Sequence, residues 1–317
     1  VDLADLEVKE EEKETTASLI RGVLALLHKA GYPVAGFDMY VTSTVLPGSG
    51  LSSSAACEVL IGTTGNHLFC QDKFDAVEIA KIGQKAENEY FGKPCGLMDQ
   101  TASSVGDAVA IDFKDPANPV VRAINADLAG LGLALCIIDC GADHAALTNE
   151  YASIPEEMCK VAAHFGKKVL REVKEEDLLA NLAQVRKEAG DRAVLRALHF
   201  YADDRRAAEE ADALERKDKE AFLNLVKESG RSSWELLQNI TPAAAITHQD
   251  MAVALTVAEK ALNGKGACRV HGGGFAGTIQ AFVPVEDVCE FKKTMETMLS
   301  EGCCHVLSIR PAGGLIL

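Results

Sequence analysis

The sequence predicts an α+β fold, an α/β chain of two domains, and three observations carry that expectation. Its 317 residues suggest about two domains at ~100–200 residues each. Short β-branched stretches are interspersed with longer amphipathic ones along the whole length. No repeat, low-complexity tract or linker interrupts them. Strands and helices in such an order imply α+β domains sharing a cleft.

Taken in order, residues 16–30 place Leu19, Ile20, Val23, Leu24 and Leu27 at helical spacing, and Gly31 and Pro33 stop the helix. The alternating "GFDMYVTSTVL" at 36–46 reads as a strand, followed by a loop and a helix over 55–69. A second helix is expected over 74–91, closed by Gly92 and Pro94, then strands at 108–113 and 133–140. From 149 to about 239 the pattern is mostly helical. The remainder returns to mixed elements: a helix at 249–262, strands flanking "HGGGFAG", a helix at 285–299 and a last strand at 305–309.

Composition narrows the function classes. Hydrophobic residues at 48% and charged residues at 25% belong to a soluble globular chain rather than a disordered one. A net charge of −15 argues against a nucleic-acid partner, because phosphate backbones recruit clustered Lys and Arg. The ten cysteines form no CxxC pair, which reads as reduced thiols rather than a disulfide framework or a zinc site. No apolar run reaches membrane-spanning length and the first residues lack a signal-peptide pattern, so the expected location is the cytoplasm and no membrane partner is expected.

Three stretches carry candidate chemistry. In "LPGSGLSSSAAC", 46–57, small residues leave successive N–H groups free to converge on phosphate oxygens at the positive end of the following helix. The hydroxyls of Ser52, Ser53 and Ser54 add donors or a magnesium ligand. The same residues also suit an ordinary turn with a serine N-cap, and they match neither GxxxxGK[ST] nor GxGxxG. In "CGLMDQ", 95–100, Asp99 is a candidate general base or, equally, a cap for a short helix. In "HGGGFAGT", Gly272, Gly273 and Gly274 cost backbone entropy that a purely structural turn rarely needs. They suit close approach to a ligand, or a tight connection between strands.

Together and in this order, "LPGSGLSSSAA", "AENEYFGKPCGLMDQ" and "RVHGGGFAGTIQAFV" resemble the galactokinase family of the GHMP small-molecule kinases, from about Leu19 to the last residue. The resemblance implies a GHMP-kinase-like fold with an ATP-binding domain over 1–125, a C-terminal domain over 126–317 and an active site in the cleft between them. It implies phosphorylation of the anomeric hydroxyl of galactose, with ATP and Mg2+ as cofactors. The nucleotide would be wrapped by Pro47, Gly48, Ser49, Gly50, Leu51, Ser52, Ser53, Ser54 and Ala55, and Mg2+ held by Ser53 and Glu87. Asp99 matches the catalytic aspartate; Gly96 and Tyr151 match residues beside the sugar; the glycine loop at 272–274 lies near the active site in the family.

The departures are specific. Family members place a basic pair where this chain has the acidic "IPEEM", and Thr16 stands where some relatives carry an adenine-stacking tryptophan. The family's first signature, rich in sugar-gripping residues and containing an arginine, has no counterpart here. The expectation is that it precedes Val1, that an N-terminal segment of the same protein is a candidate partner besides the sugar and ATP, and that the chain alone turns over galactose poorly or not at all. The alternatives are a non-catalytic galactokinase-like sugar and ATP sensor, or a kinase for another sugar or small alcohol. The intact "SSSAA" and Asp99 favour an enzyme.

Overall fold

The computed structural model describes residues 1–45, 51–141 and 147–317. The chain divides into two compact units, one of Val1–Ala126 with Ile309–Leu317 and one of Asp127–Ser308.

The first unit is built on four helices: α1 (Thr16–Lys29), α2 (Ser53–Cys70), α3 (Ala76–Ala86) and α4 (Met98–Val105). The apolar stripe of α1 supplies Val23, Leu24 and Leu27 to a core shared with Ile61 of α2 and Ala86 of α3, as a 3.6-residue period requires. Asp75 accepts a hydrogen bond from the Glu78 N–H while the Glu78 side chain accepts from the Asp75 N–H, a reciprocal cap that fixes where α3 begins. Strands β1 (Ala108–Asp112) and β2 (Val120–Ile124) form an antiparallel pair. Between them Asp112 and Asp115 accept hydrogen bonds from the N–H groups of Lys114 and Ala117, the local turn chemistry expected of Asp. Sequence reading placed β1 correctly and missed β2.

Among the described residues, 36–45 form no strand and have no ladder partner, and Tyr40 is 91% exposed; residue 46, the last of the strand expected over 36–46, lies outside the described residues. Alternation makes a segment fit for a sheet, but a strand exists only where a neighbour takes its hydrogen bonds.

Two segments without strong sequence signals are tied into this unit. The acidic run at the start is held by Arg21 of α1, itself only 2% exposed. Its guanidinium donates to both Glu12 carboxylate oxygens at 2.7 Å, to the Asp2 carbonyl at 2.7 Å and to the Asp5 carbonyl. Residues Ile309–Leu317 pack on the end of α4. The Asp107 N–H donates to the Arg310 carbonyl at 2.8 Å and the Gly314 N–H to the Ser104 carbonyl at 3.2 Å. A Cβ on Gly313 would lie 1.9 Å from the Ser104 carbonyl oxygen, so only glycine permits this backbone-to-backbone contact.

The second unit contains a four-stranded antiparallel sheet in the order β4-β5-β3-β6. Its strands are β3 (Leu133–Asp139), β4 (Ala267–Val270), β5 (Thr278–Pro284) and β6 (Cys304–Leu307). Its helices are α5 (Thr148–His164), α6 (Glu175–Ala180), α7 (Leu182–Ala189), α8 (Asp191–Glu215), α9 (Lys219–Ser232), α10 (Asp250–Leu262) and α11 (Val288–Met298). Ile138, Val270 and Ile279 of the sheet pack with Leu255 of α10 and Phe291 of α11. On the far side Phe282 of β5 meets Phe222 of α9 edge to face at 4.8 Å, a preferred aromatic geometry. Val161, Leu178, Val185 and Val194 form a separate helical core. The ten cysteines are free thiols. Among the described residues no helix is long and apolar enough to cross a membrane.

Candidate active site

In the first unit the small-residue loop leads directly into α2. Pro47, Gly48, Ser49 and Gly50 lie outside the described residues; Leu51, Ser52, Ser53, Ser54 and Ala55 lie within them. Ser52 is the residue before the helix and adopts a left-handed backbone, φ 55° and ψ 53°, a conformation that costs a non-glycine residue about 1–2 kcal/mol. Its side chain does not cap α2. Instead the Ser52 hydroxyl donates to Asp99 Oδ2 at 2.7 Å, across 47 residues of sequence. The first N–H groups of the 18-residue α2 have no partner within the helix and point the same way as its positive dipole end.

Asp99 lies inside the first turn of α4, which begins at Met98, so it is not that helix's N-cap. The loop that brings it there is held from above by α3 and the π-type turn that extends α3 over Glu87–Phe91. Gln84 donates to the Cys95 carbonyl at 3.2 Å, and the Cys95 N–H donates to Asn88 Oδ1 at 2.7 Å. The motif "QKAENEYFGKPCGLMDQ" is therefore one mechanical piece: polar residues of its first half fix the backbone of its second. Gly96 is exposed, with open space where a Cβ would stand.

Behind Asp99 lies a buried polar cluster. Glu87 is 3%, Glu58 of α2 0% and Gln100 of α4 1% exposed. Gln100 Nε2 donates to Glu87 Oε2 at 2.8 Å and to Glu58 Oε2 at 3.0 Å. Burial pushes the Glu58 carboxyl up to about 8, with further upward pressure from the neighbouring Glu87 and Asp99 carboxylates. Burial, aided by the adjacent Glu87, pushes the Cys95 thiol up to about 12, so Cys95 is a neutral packing group rather than a nucleophile.

In the second unit Tyr151 of α5 meets the glycine loop. Its hydroxyl donates to the Gly274 carbonyl at 2.8 Å, and its ring packs edge to face on Phe275 at 5.5 Å. Asn239 is 2% exposed; its amide donates to the Gly273 carbonyl at 3.1 Å and its carbonyl accepts the Phe275 N–H at 2.5 Å. A Cβ on Gly273 would lie 2.9 Å from the Tyr151 ring, and one on Gly274 2.1 Å from the Asn239 carbonyl oxygen. Protein neighbours thus already demand two of the three glycines. Gly272, at φ 69°, has none of the described residues within 4 Å of a Cβ position.

A model of the GHMP kinases N terminal domain matches residues 18–107, which contain the small-residue loop, Glu87 and Asp99. The galactokinase of Streptomyces coelicolor is 33% identical over 275 residues, 87% of this chain and 68% of that protein. The chain belongs to the galactokinase family. A second galactokinase, from Actinobacillus pleuropneumoniae, is also 33% identical, over 86% of this chain and 68% of its own length. The crystal structure of Lactococcus lactis galactokinase complexed with galactose superposes with a TM-score of 0.76 over 99% of this chain and 79% of that one, at 23% identity. The GHMP fold expected from the motifs is therefore the fold observed.

Within this galactokinase-family chain, the structure joins Ser52 to Asp99 in the first unit and Tyr151 to the glycine loop in the second. Sequence reading named Glu87 and missed the groups that hold it, Glu58 and Gln100. A signal for Glu58 exists in "SSAACEVLIG", where one carboxylate interrupts an apolar run, but a lone Glu there reads equally well as a surface position. Asn239 had no local signal.

Proposed function

We propose that this chain transfers the γ-phosphoryl group of ATP to the anomeric hydroxyl of galactose, giving galactose 1-phosphate and ADP. The observation that carries the reading is the 2.7 Å hydrogen bond from Ser52 to Asp99, because it joins the start of a phosphate-binding helix to a carboxylate. In phosphoryl transfer the donor phosphate and the base that receives the acceptor's proton must be neighbours. Relatives named galactokinase, and a related structure complexed with galactose, support galactose as the acceptor.

In this reading the N–H groups of Ser53, Ser54 and Ala55, with the serine hydroxyls, bind the phosphate oxygens. Asp99 receives the hydroxyl proton as the oxygen attacks phosphorus, and the Ser52 hydroxyl holds its carboxylate in place. Glu87 and Ser53 offer oxygen donors alone, the type that suits Mg2+. The described residues contain no cluster of three or more His, Cys, Asp or Glu able to cage a metal. Bound by Glu87 and Ser53, Mg2+ would neutralise charge on the transferring group. The family's use of ATP extends naturally to this ion, and Glu87 and Ser53 are its proposed ligands.

The test is ADP release from ATP and Mg2+, followed with and without galactose. Galactose-dependent ADP release by the full-length protein, with galactose 1-phosphate identified as product, is the expected result. Binding of both ligands without turnover would make the chain a sensor rather than an enzyme, and turnover of a different alcohol would replace the substrate.

A further inference from the structure

We infer that Gln100 is a positioning residue for this reaction, whose amide locks the Glu87 carboxylate to the helix that carries Asp99. The inference rests on the kinase reading above and goes beyond it by assigning work to a group that touches neither substrate nor phosphate.

Gln100 follows Asp99 on α4 and is 1% exposed. An amide nitrogen has two hydrogens to donate, and here it reaches Glu87 Oε2 at 2.8 Å and Glu58 Oε2 at 3.0 Å. Those carboxylates come from the end of α3 and from α2, so one side chain closes a triangle between three helices. The helices meet tightly there: a Cβ on Gly83 of α3 would lie 3.1 Å from the Glu58 side chain and 3.4 Å from Gln100 Cγ.

A purely structural account fails on two points. An apolar residue would fill the same space, whereas the observed arrangement leaves two buried polar atoms, Glu58 Oε1 and Gln100 Oε1, without a hydrogen-bond partner among the described residues. Each such orphan is destabilising, and proteins keep costs of this kind mainly where a site requires them. Charge supplies the second point. A lysine or arginine would hold both carboxylates more strongly but would neutralise Glu87 and compete with a divalent cation. A neutral amide fixes the direction of the Glu87 carboxylate and leaves its negative charge intact. Groups that orient a metal ligand in this way affect metal affinity or activity by about 10–100-fold.

The experiment compares the intact chain with Gln100→Leu, which keeps volume and loses both donors. Turnover is titrated with Mg2+, and Mn2+ binding in the presence of a non-hydrolysable ATP analogue is followed by electron paramagnetic resonance. The expected result is a roughly tenfold or greater rise in half-saturating Mg2+ and a matching loss of Mn2+ affinity. kcat should fall while KM for galactose changes less than about threefold. If Gln100→Leu does not fold, Gln100→Asn withdraws the same amide by one methylene and is read on the same axes. A folded variant with wild-type Mn2+ affinity overturns the proposal, whether or not its kcat falls. The full-length wild-type protein separates the two readings: absence of Mn2+ uptake and turnover there would overturn the kinase assignment itself.

Discussion

Replacing Asp99 with asparagine separates a base from a cap, and the structure sets the size of both effects. Asp99 is exposed, lies in the first turn of α4 and makes one side-chain hydrogen bond that the structure describes, from the Ser52 hydroxyl. Asparagine keeps the shape and can still accept from Ser52, so the stability loss is the difference between a charged and a neutral acceptor plus a weaker helix-dipole contact. At an exposed position both are screened, and together they amount to about 1 kcal/mol or less, a few degrees in melting temperature. Losing a general base costs ~10²–10⁴ in rate, about 3–5 kcal/mol of barrier. The expected outcome of Asp99→Asn is therefore a near-wild-type melting curve, calorimetric affinity for an ATP analogue within about threefold, and galactose-dependent ADP release reduced at least a hundredfold. A folded variant that retains turnover within tenfold of wild type would refute the assignment of Asp99 as proton acceptor.

Three further perturbations test how the frame is held. Gly313→Ala places a Cβ 1.9 Å from the Ser104 carbonyl oxygen; the overpacking should cost about 1–3 kcal/mol, and an unchanged melting temperature would show that residues Ile309–Leu317 do not clamp α4. Arg21→Met removes the guanidinium from Glu12, Asp2 and Asp5, so amide exchange over residues 2–12 should quicken while the rest of the unit keeps its protection. Unchanged exchange there would refute the clamp. Burial pushes Glu210 up to about 7, against its ordinary 4.5, with Asp203 adding to the rise and Arg269 and Arg206 opposing it. The fold therefore favours the protonated form, and its contribution is complete below about pH 4.5 and lost as pH rises through 7. Glu210→Gln should be more stable than wild type by about 2 kcal/mol at pH 8 and indistinguishable at pH 4. Equal stability at both values would refute the shift.

What the residues reveal unaided follows from where their partners are. α1 was legible because Leu19, Val23 and Leu27 declare its buried face within one helix. Strand β3 was legible because "LALCII" is an unbroken apolar run, and it takes a central position in its sheet. The 36–46 stretch misled because its alternation is a local property and a ladder is not. β2 was missed for the converse reason: "VVRAI" is short and half exposed, and only its pairing with β1 makes it a strand. The site divides the same way. Loop composition and the order of three motifs pointed to Ser52, Glu87 and Asp99, whereas Glu58, Gln100 and Asn239 act through contacts distant in sequence, 42 residues in the Glu58–Gln100 pair.

The acidic "IPEEM" stretch, where family members carry a basic pair, invited the idea of a different substrate. Its geometry gives the acidity another use. Glu157 accepts from Arg192 Nε at 3.0 Å and Nη2 at 2.6 Å, and from Arg196 Nη1 at 2.9 Å. Burial alone would raise the Glu157 carboxyl; the hydrogen bonds and charge of Arg192 and Arg196 more than reverse this and hold it below the ordinary range. Arg196 is fully buried and burial lowers its affinity for a proton, so Glu157 is the countercharge that lets it stay ionised. Arg196 in turn reaches the Ser153 hydroxyl at 2.9 Å and the Leu237 carbonyl at 3.1 Å, which fixes α5 against α8. This matters because α5 contains Pro155, which removes a backbone donor from the helix interior. The side-chain clamp replaces lost backbone restraint at the point where Tyr151, one turn earlier, must keep its hydroxyl on the Gly274 carbonyl. The departure in charge is thus answered across the α5–α8 pair, and it is an argument about how the glycine loop is held rather than about which sugar is bound.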